Sequence, residues 1–204
     1  DILKTLNHPH IVQFYGHFVD AEGLYSLYME FCEGGDLSEV IKQFYERSER
    51  IDEITIWNYF EQITDALSYC HGTGIIHRDI KPENVFLNGY NKVKLGDFGL
   101  SKGPGKHQLT MAFAGTPQYM SPERLQGNQY DERSDIWSLG CLTYELCTLR
   151  QPFEGPKTMN QLRNMIINGQ FAPISNGCSL SLKTIINQML CKDVSGVSNN
   201  INIS

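Results

Sequence analysis

The chain has 204 residues, of which 41% are hydrophobic and 20% are charged, enough for one domain with a sizeable core. Its 17 lysine and arginine residues and 23 aspartate and glutamate residues leave a net charge of -6, which argues against a dedicated nucleic-acid binder. No apolar run approaches the length of a membrane span and the six cysteines form no C-x-x-C pair, so we expect a protein with reduced thiols and no membrane partner.

The first third of the chain predicts two strands followed by two helices. After a short helical stretch, "IVQFYGHFVD" and "LYSLYMEF" are rich in aromatic and β-branched residues, and "AEG" separates them, which predicts two antiparallel strands. Apolar residues recur at helical spacing in "GGDLSEVIKQFYERSER", where Asp36 followed by Glu39 is typical of a helix start. A longer helix is predicted over Thr55–His71, ended by Gly72 and Gly74.

The remaining two thirds predict two short strands and then mostly helix. "NVFL" and "KVKLGD" are predicted strands joined by the turn "NGYN", and a loop follows from Phe98 to Pro122. "SDIWSLGCLTYELCTL" is apolar nearly all round, which is typical of a central buried helix. Two amphipathic helices are predicted near Lys157–Asn168 and Leu180–Cys191, and the uncharged ending "VSGVSNNINIS" is predicted to be irregular. The pattern indicates one α+β domain.

Polar residues suited to phosphoryl transfer concentrate between Ile75 and Leu100. In "HRDIKPEN", Asp79 would accept the proton of an attacking hydroxyl and Lys81 would steady the γ-phosphate of ATP. Asn84 and, in "DFG", Asp97 would hold magnesium. A lone "HRD" or "DFG" recurs by chance, but the two together at this spacing are a strong signal. The sequence therefore predicts ATP and Mg²⁺ as cofactors.

Four segments resemble those of the eukaryotic protein kinases. "HRDIKPEN" resembles the catalytic loop, "DFG" the magnesium loop, "GTPQYMSPE" the end of the activation segment and "SDIWSLGCLTYELCTLRQPF" the central helix. Lys81 together with Thr116 marks Ser/Thr kinases, and "KLGDFGLSK" and "CEGGDL" resemble the NIMA-related Ser/Thr kinases. The resemblance implies transfer of the γ-phosphate of ATP to serine or threonine of protein substrates. It also implies a cytoplasmic location, with a nuclear or cytoskeleton-associated one as alternatives.

The resemblance also implies a fold and a division of the chain. It runs from Asp1 to about Asp193, which implies a partial kinase domain over 1–193 and an irregular tail over 194–204. The implied fold is α+β and protein-kinase-like. It consists of a mostly helical C-lobe with hinge strands, while the N-lobe is largely missing and the domain is truncated at both ends.

Binding and catalytic roles follow from the same resemblance. Glu30 and Cys32 lie where the hinge meets adenine, Met29 at the gatekeeper position, and Phe86 at the floor of the adenine pocket. Met29 and Phe86 could equally fill the interior, as such residues often do. Thr116 is expected to contact the lysine and the aspartate of the catalytic loop.

The resemblance further implies regulation by phosphorylation. Arg78, beside the expected base, is suited to bind a phosphate on the activation loop. Ser101, Thr110 and Thr116 are the candidates for modification, and Thr110 is the predicted site because Thr116 has a role in the catalytic loop. A regulatory partner is compatible with this pattern.

The chain departs from the family pattern in two places. It contains no G-x-G-x-x-G, and the family's ATP-gripping lysine is absent, so residues 1–204 alone are predicted not to phosphorylate at a normal rate. The tail lacks the arginine expected to pair with Glu123, whose charge is therefore predicted to be unpaired unless solvent reaches it. A catalytically inactive, truncated binding module and a decayed gene product are the alternative interpretations. The intact catalytic residues argue against the binding module: Asp79, Lys81, Asn84 and Asp97.

Overall fold

A computed structural model describes residues 2–101, 103, 115–174 and 177–191 of the protein. Within this part of the chain, short strands alternate with helices in the first half and helices follow one another in the second. The elements are β1 (Phe14–Val19), β2 (Tyr25–Met29), α1 (Leu37–Glu46), α2 (Glu53–Gly72), β3 (Val85–Leu87), β4 (Val93–Leu95), α3 (Pro122–Leu125), α4 (Arg133–Thr148), α5 (Met159–Asn168) and α6 (Leu180–Met189).

The strands form two separate antiparallel pairs, as the sequence predicts. β1 pairs with β2, with Val19 opposite Tyr25, and β3 pairs with β4, with Val85 opposite Leu95. Most side chains of β1 and β2 are exposed, whereas the alternating apolar residues of β3 and β4 are fully buried. The second pair therefore lies against the helical core, and the first pair extends away from it.

Side-chain caps set the starts of the first two helices. Asp36 accepts hydrogen bonds from backbone N–H groups of the first turn of α1, as predicted. α2 begins two residues before its predicted start because Asp52 caps it, accepting a hydrogen bond from the Thr55 N–H at 2.8 Å. Of the two glycines predicted to end α2, Gly72 is still helical, and Gly74 adopts the left-handed conformation with φ +75°.

α4 is the central buried helix that its sequence predicts. All but three of its residues are buried, and α6 packs against it at Gly140. A Cβ at Gly140 would lie 2.9 Å from the Cβ of Met189, so only glycine permits this close approach. Trp137 stacks on Phe153 with ring centroids 5.9 Å apart, which anchors the segment after α4 to the core.

Several boundaries differ from the predictions for local reasons. The predicted opening helix is a single 3-10 turn over Ile2–Thr5. α5 begins at Met159 because Thr158 caps it. The predicted loop from Phe98 to Pro122 includes short helical turns at Phe98–Leu100 and Pro117–Tyr119. The predicted irregular tail lies outside the described residues, and no described helix is long and apolar enough to cross a membrane.

Glu123 is only partly buried, so solvent reaches the residue whose charge is predicted to lack an arginine partner. Its carboxylate accepts a hydrogen bond from the Ser134 hydroxyl at 2.7 Å. Ser134 also accepts a hydrogen bond from the hydroxyl of Ser121 at 3.0 Å. The beginning of α4 therefore supplies polar contacts to the segment that leads into α3.

Candidate active site

The predicted site residues lie on the connections around the β3–β4 pair. Asp79 belongs to the loop between α2 and β3, Asn84 ends a short 3-10 turn before β3, and Asp97 follows β4. The Gly96 N–H donates to the Asn84 carbonyl at 3.0 Å. This bond brings the residue before β3 next to the residues after β4, so that both loops meet at one end of the sheet.

Asp135 of α4 fixes the backbone of the loop before Asp79. Its carboxylate accepts hydrogen bonds from the His77 N–H at 2.9 Å, the Arg78 N–H at 2.8 Å and the His71 ring at 2.8 Å. Burial alone would raise the pKa of Asp135, but the hydrogen bond from His71 and the nearby imidazoles and backbone donor outweigh it and leave the pKa below its ordinary value. A fully buried carboxylate therefore orients the loop.

His77 has a structural role beside the site. It is fully buried, its Nε2 lies 2.9 Å from the Gly96 carbonyl oxygen, and its ring contacts Phe98 edge to face at 4.6 Å. Burial lowers the pKa of His77. The ring connects the catalytic loop to the segment after β4.

The Asp79 carboxylate is surrounded by donors from three neighbours. Asn84 Nδ2 donates to its Oδ2 at 2.9 Å, and Lys81 Nζ lies 3.2 Å from the same oxygen. The Thr116 N–H donates to Oδ1 at 3.2 Å, and Lys81 Nζ donates to the Thr116 hydroxyl at 3.0 Å. The structure thus brings together the four residues predicted to be catalytic. Their arrangement holds a largely buried carboxylate in one orientation beside an ammonium group.

Asn84 and Asp97 provide oxygen atoms suited to magnesium. Asn84 Nδ2 donates to both the backbone carbonyl and the carboxylate of Asp79, at 2.8 Å and 2.9 Å, which leaves Oδ1 as the amide atom available to a cation. Asp97 is exposed and has a left-handed backbone with φ 54°. Carboxylate and carboxamide oxygens are the ligands Mg²⁺ prefers, and Mg²⁺ commonly takes one or two from the protein. The residues present fit the ion, although no described group of three or more His, Cys, Asp or Glu forms a metal cluster.

The predicted hinge contains an ion pair that the sequence does not signal. Glu30 Oε2 lies 2.9 Å from Lys94 Nζ of β4 and accepts a hydrogen bond from the Gln13 N–H at 3.1 Å. Its own N–H donates to the Gln13 carbonyl at 2.8 Å. The Glu30 carboxylate is therefore held by contacts within the protein.

The other predicted binding residues differ in their environments. Met29 is 45% exposed, so the alternative that this side chain fills the interior is wrong. Phe86 is half-buried, and a Cβ added at Gly96 would meet its ring at 2.7 Å, so the ring packs directly on the backbone beside Asp97. Cys32 is half-buried, and burial raises the pKa of its thiol.

Arg78, the predicted phosphate-binding residue, contributes to a cluster that includes two residues missed from the sequence. Its guanidinium lies 5.0 Å from the ring centre of Tyr130, and the guanidinium of Arg124 lies 5.3 Å from the same ring. Arg78 Nη1 donates to the Leu100 carbonyl at 3.4 Å, and its Nε is buried without a partner among the described residues. Thr110, the predicted phosphorylation site, lies outside the described residues.

Comparison with known proteins identifies relatives of this chain. The family described as "Protein kinase domain" matches residues 1–196. The G2-specific protein kinase nimA of Emericella nidulans is 41% identical over 91% of this chain and 30% of its own length. The probable serine/threonine-protein kinase nek2 of Dictyostelium discoideum is 43% identical over 95% of this chain and 47% of its own length. The serine/threonine-protein kinase Nek2 of Homo sapiens is 44% identical over 93% of this chain and 44% of its own length.

The chain spans less than half the length of each of these three relatives. The matches confirm the resemblance that the sequence motifs indicate. The chain belongs to the protein kinase family, in its NIMA-related branch.

Proposed function

We propose that the protein transfers the γ-phosphate of ATP to serine or threonine hydroxyls of protein substrates. The observation that carries this proposal is the set of contacts around Asp79. Its two carboxylate oxygens are held by Asn84, Lys81 and the Thr116 N–H, at distances between 2.9 and 3.2 Å. Phosphoryl transfer depends on such positioning more than on covalent chemistry by the protein.

The side chains around the transferred phosphoryl group have separate roles. Asp79 accepts the proton of the attacking hydroxyl. Lys81, whose Nζ lies 3.0 Å from the Thr116 hydroxyl and 3.2 Å from Asp79, places a positive charge where negative charge builds up on the phosphoryl oxygens. Thr116 keeps this ammonium group in place and orients the carboxylate through its N–H.

Asn84 and Asp97 are the residues that would hold magnesium. When bound, the ion supplies positive charge that neutralises the phosphates. The two hydrogen bonds from Asn84 Nδ2 to Asp79 turn its amide so that Oδ1 is the atom left for the metal. The base and the metal ligand are thereby oriented by one another.

The nucleotide base would lie against the hinge after β2. The backbones of Glu30 and Cys32 would contact the edge of adenine, with Met29 and Phe86 lining its faces. The pairing of the Glu30 carboxylate with Lys94 at 2.9 Å supports this arrangement, because it turns the side chain away and leaves the backbone to make the contact.

Arg78 would bind a phosphate on Thr110 in the activated protein. The buried Nε of Arg78 without a described partner, and the second guanidinium of Arg124 on the same tyrosine ring, support an anion at this position. Phosphopeptide mapping of the active protein should find Thr110 modified, and Thr110→Ala should lower the rate. An active protein with unmodified Thr110 would contradict this part of the proposal.

The test of the activity uses the complete protein as its own cell makes it. The measurement is ³²P transfer from ATP to a mixture of serine and threonine peptides. We expect Asp79→Asn to lower the rate about 10²–10⁴-fold, because the base is lost while the shape is kept. Asp131→Asn is the matched control, since Asp131 pairs with Arg133 at the surface and should leave the rate unchanged.

Two outcomes would decide against the proposal. Equal rates for the protein and for Asp79→Asn would remove Asp79 from the reaction. No transfer by the complete, phosphorylated protein would favour the inactive binding module instead. The low rate expected of residues 1–204 alone remains a separate prediction, tested by assaying that chain beside the complete protein.

A further inference from the structure

We propose that Arg124 is a positioning residue for the reaction: it holds the Arg78 carbonyl and thereby the backbone turn from which Asp79 projects. Arg124 lies on α3, well after the catalytic loop in the sequence, and the residue is 3% exposed. Its Nη1 donates to the Arg78 carbonyl at 2.6 Å. The expected effect of Arg124 on the reaction rate rests on the proposed function, whereas its expected effect on the position of the loop does not.

The backbone of Arg78 requires external support. Its φ is +75°, in the left-handed region that residues with a Cβ adopt only at a cost. Such a conformation persists where surrounding contacts determine it. The Arg78 N–H donates to Asp135 at 2.8 Å, and the carbonyl of the same residue accepts from Arg124. The residue that precedes Asp79 is thus held at both of its backbone polar groups.

Arg124 also lies close to the carboxylate of Asp79. A Cβ built on Gly115 would lie 3.3 Å from Asp79 Oδ1 and 3.4 Å from Arg124 Nη2, so both groups flank the same small space. Gly115 has φ +115°, which a side chain would strain, and its lack of one keeps this space open. The guanidinium therefore lies beside the carboxylate that accepts the proton as well as behind the loop that presents it.

Tyr130 restricts where the Arg124 side chain can lie. Its ring centre is 5.3 Å from the Arg124 guanidinium and 5.0 Å from that of Arg78. A buried guanidinium is costly unless its donors are well bonded, and a planar fork keeps more than one partner in a fixed geometry. Lysine at position 124 would keep the charge and one hydrogen bond but would lose the fork and its stacking on the ring.

The test compares Arg124→Gln, Arg124→Lys and the control Arg133→Gln in the complete protein. Hydrogen–deuterium exchange measures the opening of the His77 and Arg78 N–H groups, with the core of α4 as the internal reference. Initial rates measure kcat and the KM for ATP. We expect Arg124→Gln to speed exchange at these two N–H groups at least tenfold and to lower kcat at least tenfold, with the KM for ATP changed less than twofold.

Arg124→Lys should recover part of both losses, and Arg133→Gln should resemble the unmodified protein because Arg133 pairs with Asp131 at the surface. Unchanged exchange at residues 77 and 78 in Arg124→Gln would overturn the proposal. So would faster exchange that extends equally through α4, since that would show a general loss of stability. If the unmodified protein transfers no phosphate, the proposed function fails, while exchange still decides the role of Arg124.

Discussion

Glu145 of α4 gives the most quantitative prediction for this protein. The residue is 9% exposed, and its carboxyl group accepts a hydrogen bond from the Tyr119 hydroxyl at 2.5 Å. Gln151 Nε2 donates to that hydroxyl at 3.2 Å. Burial raises the pKa of Glu145 from 4.5 to about 7. The hydrogen bond from Tyr119 opposes this rise, and the negative charges of Glu83 and Glu154 add to it.

The sign of the pH dependence follows from this raised pKa. Between pH 4.5 and about 7 the folded protein keeps a proton on Glu145 that the unfolded chain has released. The stabilisation is therefore fully present below the lower value and is lost as pH rises to the higher one. At about 1.36 kcal/mol per pKa unit, the shift corresponds to about 3 kcal/mol of unfolding free energy.

Glu145→Gln should remove this dependence, because the amide keeps the shape and the hydrogen bonding but does not titrate. Urea denaturation at about pH 5 and about pH 8 should show a loss of about 2–3 kcal/mol in the unmodified protein that is missing from the variant. Glu46→Gln is the control, since that side chain is 61% exposed and its charge is not among those that raise the pKa of Glu145. Parallel pH dependences for the unmodified protein and Glu145→Gln would refute the reasoning.

Three further changes test the hinge, the core and the metal site. Lys94→Met should raise the KM for ATP about tenfold in rate measurements, because the Glu30 carboxylate loses its cation at 2.9 Å. An unchanged KM would show that the ion pair between Lys94 and Glu30 does not order the hinge. Ile63→Ala should lower the unfolding free energy by about 2–5 kcal/mol in urea, since Ile63 is fully buried, and a smaller loss would mean that the site collapses around the cavity. Asn84→Ala should raise the Mg²⁺ concentration needed for half-maximal rate about 10- to 100-fold, and an unchanged requirement would exclude Asn84 as a ligand.

Much of the fold could be predicted because its elements carry local patterns. The β1–β2 pair follows from aromatic and β-branched runs, and α4 follows from a segment that is apolar nearly all round. The apolar stripe alone does not locate the start of α2, because Asp52 sets this boundary by capping the helix two residues before the predicted start. The opening turn at Ile2–Thr5 has too few residues for a periodic pattern to distinguish an α-helix from a 3-10 helix.

In the site, too, contacts within one motif could be predicted from the sequence, whereas contacts between distant segments could not. Asp79, Lys81 and Asn84 belong to one short motif, so the sequence predicts the contacts among them. The bond between Arg124 and the Arg78 carbonyl joins residues 46 positions apart, and neither position belongs to a repeating pattern with the other. Such contacts depend on how α3 packs against the catalytic loop, which is a tertiary result that composition and periodicity do not contain.

The polar residues of α4 explain why a buried helix carries so much of the site. Ser134 donates to Glu123 of α3, and Asp135 binds the catalytic loop. Ser138 donates to the Tyr119 carbonyl at 2.7 Å, and Glu145 accepts from the Tyr119 hydroxyl. Each of these groups is buried or nearly so, and a buried polar group is costly without a partner. Their hydrogen bonds therefore favour one position of the catalytic loop and of the segment around Tyr119. Displacing either segment would leave several polar groups of α4 without partners, so the core helix sets the geometry of the site as well as the stability of the domain.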